Sequence, residues 1–218
     1  MFADISRPAT QFLNSQPWYV ALCADMQARV AQRVTLQSAA KGQVMLHSGA
    51  PVQGWHAVLS GLVKLQSQSD QGRLSVFLGV QAGDWFGEGS ALKSEPRRYD
   101  VVALRDTQLL CLPREEFDAL RASSLAFSQF LVAHLNLRLG QAMAIIEAGR
   151  IRSPEQRVAL YLGQLFWPGQ RRLNLSQEEL GHLIGLSRQT VNKVLKTFER
   201  RALVSLEFGR IGILDERA

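Results

Sequence analysis

Apolar positions in this chain follow three successive patterns, and each predicts a different kind of element. Up to residue 32 the spacing is helical: residues 10–32 read as one or two short helices, ending in an amphipathic run around Tyr19–Val30. From Val34 the period shortens. The runs VMLH, WHAVLSGLVKLQ, LSVFLGV, VVAL and TQLLCL alternate with turn segments such as SGAPVQG, SDQG and QAGDWFGEG. Short strands separated by turn signals at this spacing predict an antiparallel, jelly-roll-like β-roll over about residues 34–112. No helical pattern intervenes between them, which argues against a parallel α/β sheet.

After Pro113 the helical period returns. Arg114-Glu115-Glu116-Phe117 opens a helix with acids in its first turn, where they oppose the helix dipole favourably. A longer helix is expected from about Ala122 to Gly149. Val132, Leu135, Leu139, Ala142, Ile146 and Gly149 are spaced as a coiled-coil seam, and Phe127, Phe130, Leu131, His134 and Ile145 form a second stripe. Two stripes imply two packing partners: the strand domain and the same helix of a second subunit. Burial within a single chain is the alternative arrangement. Ile151-Arg152-Ser153-Pro154 should break the helix, because the residue before proline avoids the α region, and Ser153 is placed to cap the next helix. That helix is PEQRVALYLGQLF, amphipathic with Val158, Leu162 and Leu165 on one face.

The third pattern runs from Gln177 to Lys196, QEELGHLIGLSRQTVNKVLK. Leu180, Ile184, Leu186, Val191 and Val194 supply its apolar positions, and Gly181 and Gly185 stand where two helices meet and where the chain turns. Ser176 with Glu179 forms a capping box for the first helix, and Ser187 is placed to cap the second. Val191, Val194, Leu195 and Phe198 make one buried stripe of that second helix. Arg188, Gln189, Asn192, Lys193 and Lys196 crowd the opposite face, a set suited to reading base edges. An ordinary helical hairpin with a solvated basic face is the competing description. LVSLEFGRIGIL alternates around Gly209 as a β-hairpin, or wing, with Arg210 at its tip for a phosphate or for solvent. The candidate DNA-facing set is thus Ser176, Ser187, Arg188, Gln189, Asn192, Lys193, Lys196 and Arg210. The fold class is α+β, divided into a β-roll with flanking helices (1–121), a long dimerisation helix (122–150) and a winged helix-turn-helix (151–218).

Composition sharpens this only in places. With 46% hydrophobic and 20% charged residues the 218-residue chain is globular. Its charge of +6 is uneven: residues 1–150 carry 14 basic against 12 acidic groups, and residues 151–218 carry 11 against 7. That concentration fits a polyanionic partner. Cys23 and Cys111 are too few for a disulfide framework or an iron–sulfur cluster, and the four histidines lack metal-ligand spacing. The N-terminus has no signal-peptide pattern, and no apolar run approaches 18 residues. A cytoplasmic protein without a membrane partner is the expectation. No nucleophile–base arrangement or paired-carboxylate motif emerges, so an enzyme is not expected.

A strand roll, a long helix, a hinge and a winged helix-turn-helix in this order resemble the Crp/Fnr family of bacterial transcription regulators, over about residues 20–215. The specific marks are GLSRQTVNKVLK and the cassette Phe86-Gly87-Glu88-Gly89-Ser90-Ala91-Leu92, with Arg98 ten residues after Glu88. In cyclic-nucleotide-binding members the cassette holds the cyclic phosphate and ribose. The resemblance therefore points to Gly87, Glu88, Gly89, Ser90, Arg98 and Tyr99 as an effector site. The glycines would present backbone N–H groups, Arg98 would pair with the anion, and Glu88 would accept from a ribose hydroxyl. Three matched positions depart from the cyclic-AMP pattern: Tyr99 stands where a small hydroxyl residue supports the phosphate, and Ala142 and Met143 stand where hydroxyl residues meet adenine. They disfavour cyclic AMP and place it third, behind a cassette kept only as a turn and a structural ion pair and behind a different effector.

For DNA, the resemblance implies base reading by Arg188, Gln189 and Lys193. Many members have Glu and Arg where Gln189 and Lys193 stand, so a half-site related to TGTGA but altered at the Gln189 position is expected. The implied partners are double-stranded DNA, a second copy of the chain and RNA polymerase. The rival readings are a cyclic-nucleotide module acting on a protein partner and a haem or redox sensor using histidine or cysteine.

Overall fold

The structure, a computed structural model, describes residues 7–68, 71–72, 74–150 and 153–215. The chain forms two compact units, Met1–Asn136 and Leu137–Ala218. The first begins with three helices where the pattern predicted one or two: α1 (Arg7–Asn14), α2 (Pro17–Val20) and α3 (Ala24–Arg33). Pro17 explains the extra break. It lacks the N–H that would continue α1, yet suits the first turn of α2. The strands come next as β1 (Thr35–Ala39), β2 (Val44–Leu46), β3 (Gly54–Ser60), β4 (Leu62–Gln68), β5 (Leu74–Gln81), β6 (Trp85–Phe86), β7 (Asp100–Ala103) and β8 (Thr107–Pro113), with α4 (Glu88–Lys93) between β6 and β7. They form two antiparallel sheets, ordered β1-β8-β3-β6 and β2-β7-β4-β5. The expected antiparallel roll is present. Its longest apolar run is divided at Gly61, which has φ +99° and where a Cβ would lie 2.3 Å from Thr107 Oγ1. Only glycine lets β3 turn into β4 there.

Aromatic rings bind this sheet to the helices. Trp55 of β3 stacks on Trp85 of β6 with centroids 4.1 Å apart, and Trp18, Phe117 and Phe127 meet Trp55 edge-on or tilted at 5.7 to 6.2 Å. All five are at most 1% exposed. Gln16 accepts from the Trp85 indole at 2.9 Å, which satisfies a donor that burial would otherwise strand. Helix α5 (Arg114–Ser123) is tied to α3 by Arg29 and the buried Glu116, 2.7 Å apart.

The long helix α6 spans Leu125–Arg150 and starts later than expected, because α5 continues through Ser123 and Ser124 is extended. The Ser124 hydroxyl accepts from the Phe127 N–H at 3.2 Å, a new cap. Val132, Leu139, Ala142, Ile146 and Gly149 of the anticipated seam are exposed, but Leu135 packs against the core of the first unit instead. Leu125 is exposed as well, so Leu125, Val132, Leu139 and Ile146 recur every seven residues, with Met143 beside them. In the second stripe Phe127 and Leu131 are buried and Phe130 packs against the same core.

In the second unit, α7 spans Pro154–Leu162. Two positions of the anticipated hinge, Ile151 and Arg152, lie outside the described residues. Ser153 does not cap α7 by its side chain; its hydroxyl donates to Glu155 at 2.6 Å. The helix stops at Leu162, short of the predicted Leu165, and the turn after it is closed by the Trp167 indole donating to the Tyr161 carbonyl at 2.9 Å. A two-residue strand β9 (Arg172–Leu173), too short for a sequence pattern, precedes α8 (Gln177–Ile184) and α9 (Arg188–Arg200). The wing is β10 (Val204–Glu207) and β11 (Arg210–Ile213), and β11 pairs with β9 to complete a three-stranded sheet.

The two glycines of the helix-turn-helix have different duties. Gly185 ends α8 with φ +69°. Gly181 has ordinary helical backbone, but a Cβ there would sit 2.6 Å from the Leu186 carbonyl oxygen, which accepts no intrusion without moving the turn. Gly181→Ala should therefore destabilise the C-terminal unit by roughly 1–3 kcal/mol, as overpacking does, read as a lower urea midpoint for the tryptophan signal.

Candidate nucleic-acid interface and sensor cassette

Both helices of the helix-turn-helix begin with side-chain caps. Ser176 accepts from the Glu179 N–H at 3.2 Å while Glu179 accepts from the Ser176 N–H at 2.8 Å, so both halves of the capping box are present. Ser187 accepts from the Thr190 N–H at 3.1 Å. These serines fix where each helix starts. Val191, Val194, Leu195 and Phe198 are buried, which leaves Arg188, Gln189, Lys193 and Lys196 exposed on the other side of α9. Asn192 differs from them. Its amide donates to the Gln177 side chain at 2.8 Å and is half-buried, so it links α9 to the start of α8. Arg210 is exposed at the wing. A groove of about 480 Å³ has Ser176, Gln177, Arg188 and Asn192 among its lining on the helix side and Phe208 and Arg210 on the wing side. The candidate DNA-facing residues thus gather at one end of the unit, apart from Lys193 and Lys196, which lie further along α9.

The cassette of the first unit departs from expectation at its arginine. Gly87 precedes α4 with φ +92°, and Glu88 and Ser90 are buried, each 8% exposed. Arg98 is not beside them. Its side chain is 70% exposed and pairs with Glu95 at 2.7 Å. The buried guanidinium is that of Arg97, 3% exposed, whose Nη1 would be 3.3 Å from a Cβ on Gly87. The cause is the backbone. The Arg97 N–H donates to the Ala50 carbonyl at 2.9 Å and its carbonyl accepts from Gly49 at 2.7 Å. With its backbone pinned on both sides Arg97 keeps its guanidinium inside, while Arg98, at a bend of the chain, turns outward to Glu95. Two adjacent arginines have the same signature in sequence, and only this pairing with residues 49–50 separates them.

Arg97 Nη1 is buried and makes no hydrogen bond among the described residues. Burial lowers its pKa, and the neighbouring Tyr99, which accepts a hydrogen bond, and Cys111 oppose that shift. Tyr99 is half-buried, with its ring edge-on to Phe77 at 6.5 Å. The Cys111 thiol is pushed up to about 11, chiefly by burial. Opposite Cys111 on β3 lies His56, 3% exposed, stacked on Phe86, with Nδ1 lacking a hydrogen-bond partner among the described residues. Sequence reasoning missed Arg97 and His56. On α6, His134 brings Nε2 within 3.5 Å of Glu88 Oε2, both side chains being largely buried. The described residues hold no group of three or more His, Cys, Asp or Glu placed to bind a metal, and no helix long and apolar enough to cross a membrane.

A winged helix-turn-helix in one unit and a roll carrying a glycine–glutamate cassette in the other define a DNA-binding transcription regulator with a cyclic-nucleotide-binding type of sensor domain. Residues 36–124 match the cyclic nucleotide-binding domain and residues 156–218 the Crp-like helix-turn-helix domain. The chain is 30% identical to the cyclic AMP receptor protein of Thermus thermophilus, over 79% of this chain and 81% of that protein. It is also 30% identical to the transcriptional regulator SdrP of the same organism, over 80% of this chain and 87% of that protein. Among solved structures it resembles FixK2 from Bradyrhizobium japonicum with a TM-score of 0.71 at 19% identity, covering 84% of this chain and 94% of that one. The chain belongs to the Crp/Fnr family of transcription regulators, proteins that bind DNA and act as dimers.

His56 gives the sensor domain a measurable pH signature. Burial, reinforced by the positive Arg97, lowers its pKa to about 3. The folded chain therefore keeps it neutral where the unfolded chain takes up a proton near its ordinary value of about 6.5. The unfolded state binds more protons through this window, so stability is lost as pH falls from about 6.5 towards 3. Urea unfolding of wild type should lose up to about 1.4 kcal/mol per pH unit more than His56→Phe between about pH 6 and 4. Equal pH slopes in the two proteins would contradict a neutral buried His56.

Proposed function

We propose that this regulator works as a cytoplasmic homodimer on a two-fold symmetric DNA site, with Arg188, Gln189 and Lys193 reading bases and Lys196 and Arg210 holding phosphates. The observation that carries this reading is the division of α9 into a buried apolar stripe and an exposed polar face beginning at a capped N-terminus. Arg188 suits bidentate donation to guanine. Gln189 both donates and accepts, so adenine is its natural partner, and Lys193 supplies charge without a planar fork. Ser176 and Ser187 set the helix ends, and Asn192 positions α8 against α9 before it meets any base. The exposed heptad positions Leu125, Val132, Leu139 and Ile146 support pairing of α6 with α6 of a second copy. That pairing would set the half-sites about one helical turn, ~34–36 Å, apart. RNA polymerase is the partner through which bound regulator would act on transcription.

Selection from a random DNA pool should recover a palindrome with half-sites related to TGTGA but changed or relaxed opposite Gln189. An asymmetric site, or none, would overturn the reading. Arg188→Ala should cost roughly 1–3 kcal/mol at one base pair, whereas Lys196→Ala should weaken all sequences alike.

A second reading concerns control. Arg97, a buried guanidinium without an ion pair among the described residues, supports an anionic small effector beside Gly87. Tyr99, hydrogen-bonded to Arg97 and edge-on to Phe77, puts a bulky phenol beside the guanidinium where a small hydroxyl residue would support a cyclic phosphate. These features favour an anion other than cyclic AMP. A panel of cyclic mono- and dinucleotides and small phosphates should include one that raises the melting temperature of wild type. At 100 times its Kd that ligand adds about 2.7 kcal/mol, and Arg97→Gln should abolish the shift while Arg98→Gln retains it. Equal loss in both variants would reject Arg97 as the anion partner.

A further inference from the structure

Phe208 forms the apex of the wing, between β10 and β11. Among the described residues it is the most exposed large apolar side chain, at 106% of the reference exposure; the next is Leu125 at 74%. Leu125 belongs to the heptad stripe, which a second helix would cover. Phe208 has no such neighbour. Nor does the turn call for it. Gly209 takes the left-handed conformation, φ +70°, so position 208 needs only ordinary backbone, where turn chemistry favours a small polar residue.

We infer that Phe208 is an apolar contact to duplex DNA, entering the minor groove beside the half-site read by α9 and resting against deoxyribose at a base step that it partly unstacks. The inference rests on the DNA-binding reading above and extends it to a contact of a different chemistry. The groove between α9 and the wing has Arg188 on one wall and Phe208 and Arg210 on the other. Major and minor grooves are separated by a single sugar–phosphate strand. With Arg188 at base edges in the major groove, that strand runs through the groove between helix and wing, and the wing apex emerges on its minor-groove side. The charge agrees. Arg188 and Arg210 face the strand from its two sides, and Arg171 and Arg172 join Arg210 around a recess of about 140 Å³ on the wing. Glu178 and Glu207 also line the groove, so it is no uniform cationic trough. An uncharged ring against a sugar face suits that mixture. Apolar wedges at minor-groove steps are a general way of bending a duplex, and pyrimidine–purine steps yield to them most easily. The flank facing Phe208 should therefore be enriched in TA or CA/TG steps.

The test uses full-length protein and the palindrome selected by wild type, with 2-aminopurine placed at successive flanking positions. Wild type should raise the fluorescence at one step per half-site. Phe208→Ala should lose that rise and bind roughly tenfold more weakly, about 1.4 kcal/mol, with an unchanged salt slope because no charge is removed. Phe208→Leu should fall between the two. Arg210→Ala should instead lower the salt slope by about one phosphate contact and keep the fluorescence rise. Wild-type affinity in Phe208→Ala overturns the inference. So does normal DNA binding with lost transcription in the presence of RNA polymerase, which would make Phe208 a protein contact. A lowered melting temperature of free Phe208→Ala assigns the ring to the fold and likewise overturns it. Failure of wild type to bind any duplex rejects the regulator reading itself and is distinguishable from all of these.

Discussion

The stack of Trp55 on Trp85, with Trp18, Phe117 and Phe127 around it, is the contact on which the first unit depends. Each ring comes from a different element: α2, β3, β6, α5 and α6. Aromatic rings bury large areas with few rotatable bonds, so such a junction fixes five elements at a modest entropy cost. It also decides where the long helix can sit. With Phe127 and Leu131 held in the core, helical geometry turns Leu125 and Val132 of the same helix outward.

The same junction places the polar groups of the cassette close to α6. Glu88 leaves β6 two residues after Phe86 and meets His134, whose ring lies parallel to Phe130 and edge-on to Trp55. Nearby, Arg97 is fixed by backbone bonds rather than by a counter-charge. Tyr99 takes one of its hydrogen bonds, and Nη1 is left without a partner among the described residues, so its desolvation is only partly offset.

Much of this was legible in the sequence because the relevant signals are local. Alternation gave the roll, the capping serines gave both helix starts, and Gly181 and Gly185 gave the turn. The features that escaped were set by partners distant in the chain. Arg97 and Arg98 are interchangeable until residues 49–50 are paired with one of them. The strand Arg172–Leu173 exists only because β11 offers it an edge, and Leu135 left the seam because the core had room for it. Leu165 was misplaced for a different reason: the pattern continued past Leu162 although the backbone at Gly163 is extended. Periodicity reports which faces are apolar, not where hydrogen bonding stops.

The bond from Asn192 to Gln177 separates two kinds of polar residue on one helix face. Asn192 spends its amide on the fold, while Arg188, Gln189 and Lys193 extend outward from a scaffold that stands without them. All three are exposed, so exchanging them leaves the buried stripe of α9 untouched. Exchanging Asn192 loosens the domain before any target is met. A helix built this way can vary its outer face by single-codon steps, each intermediate still folded, and the route of such drift runs around position 192.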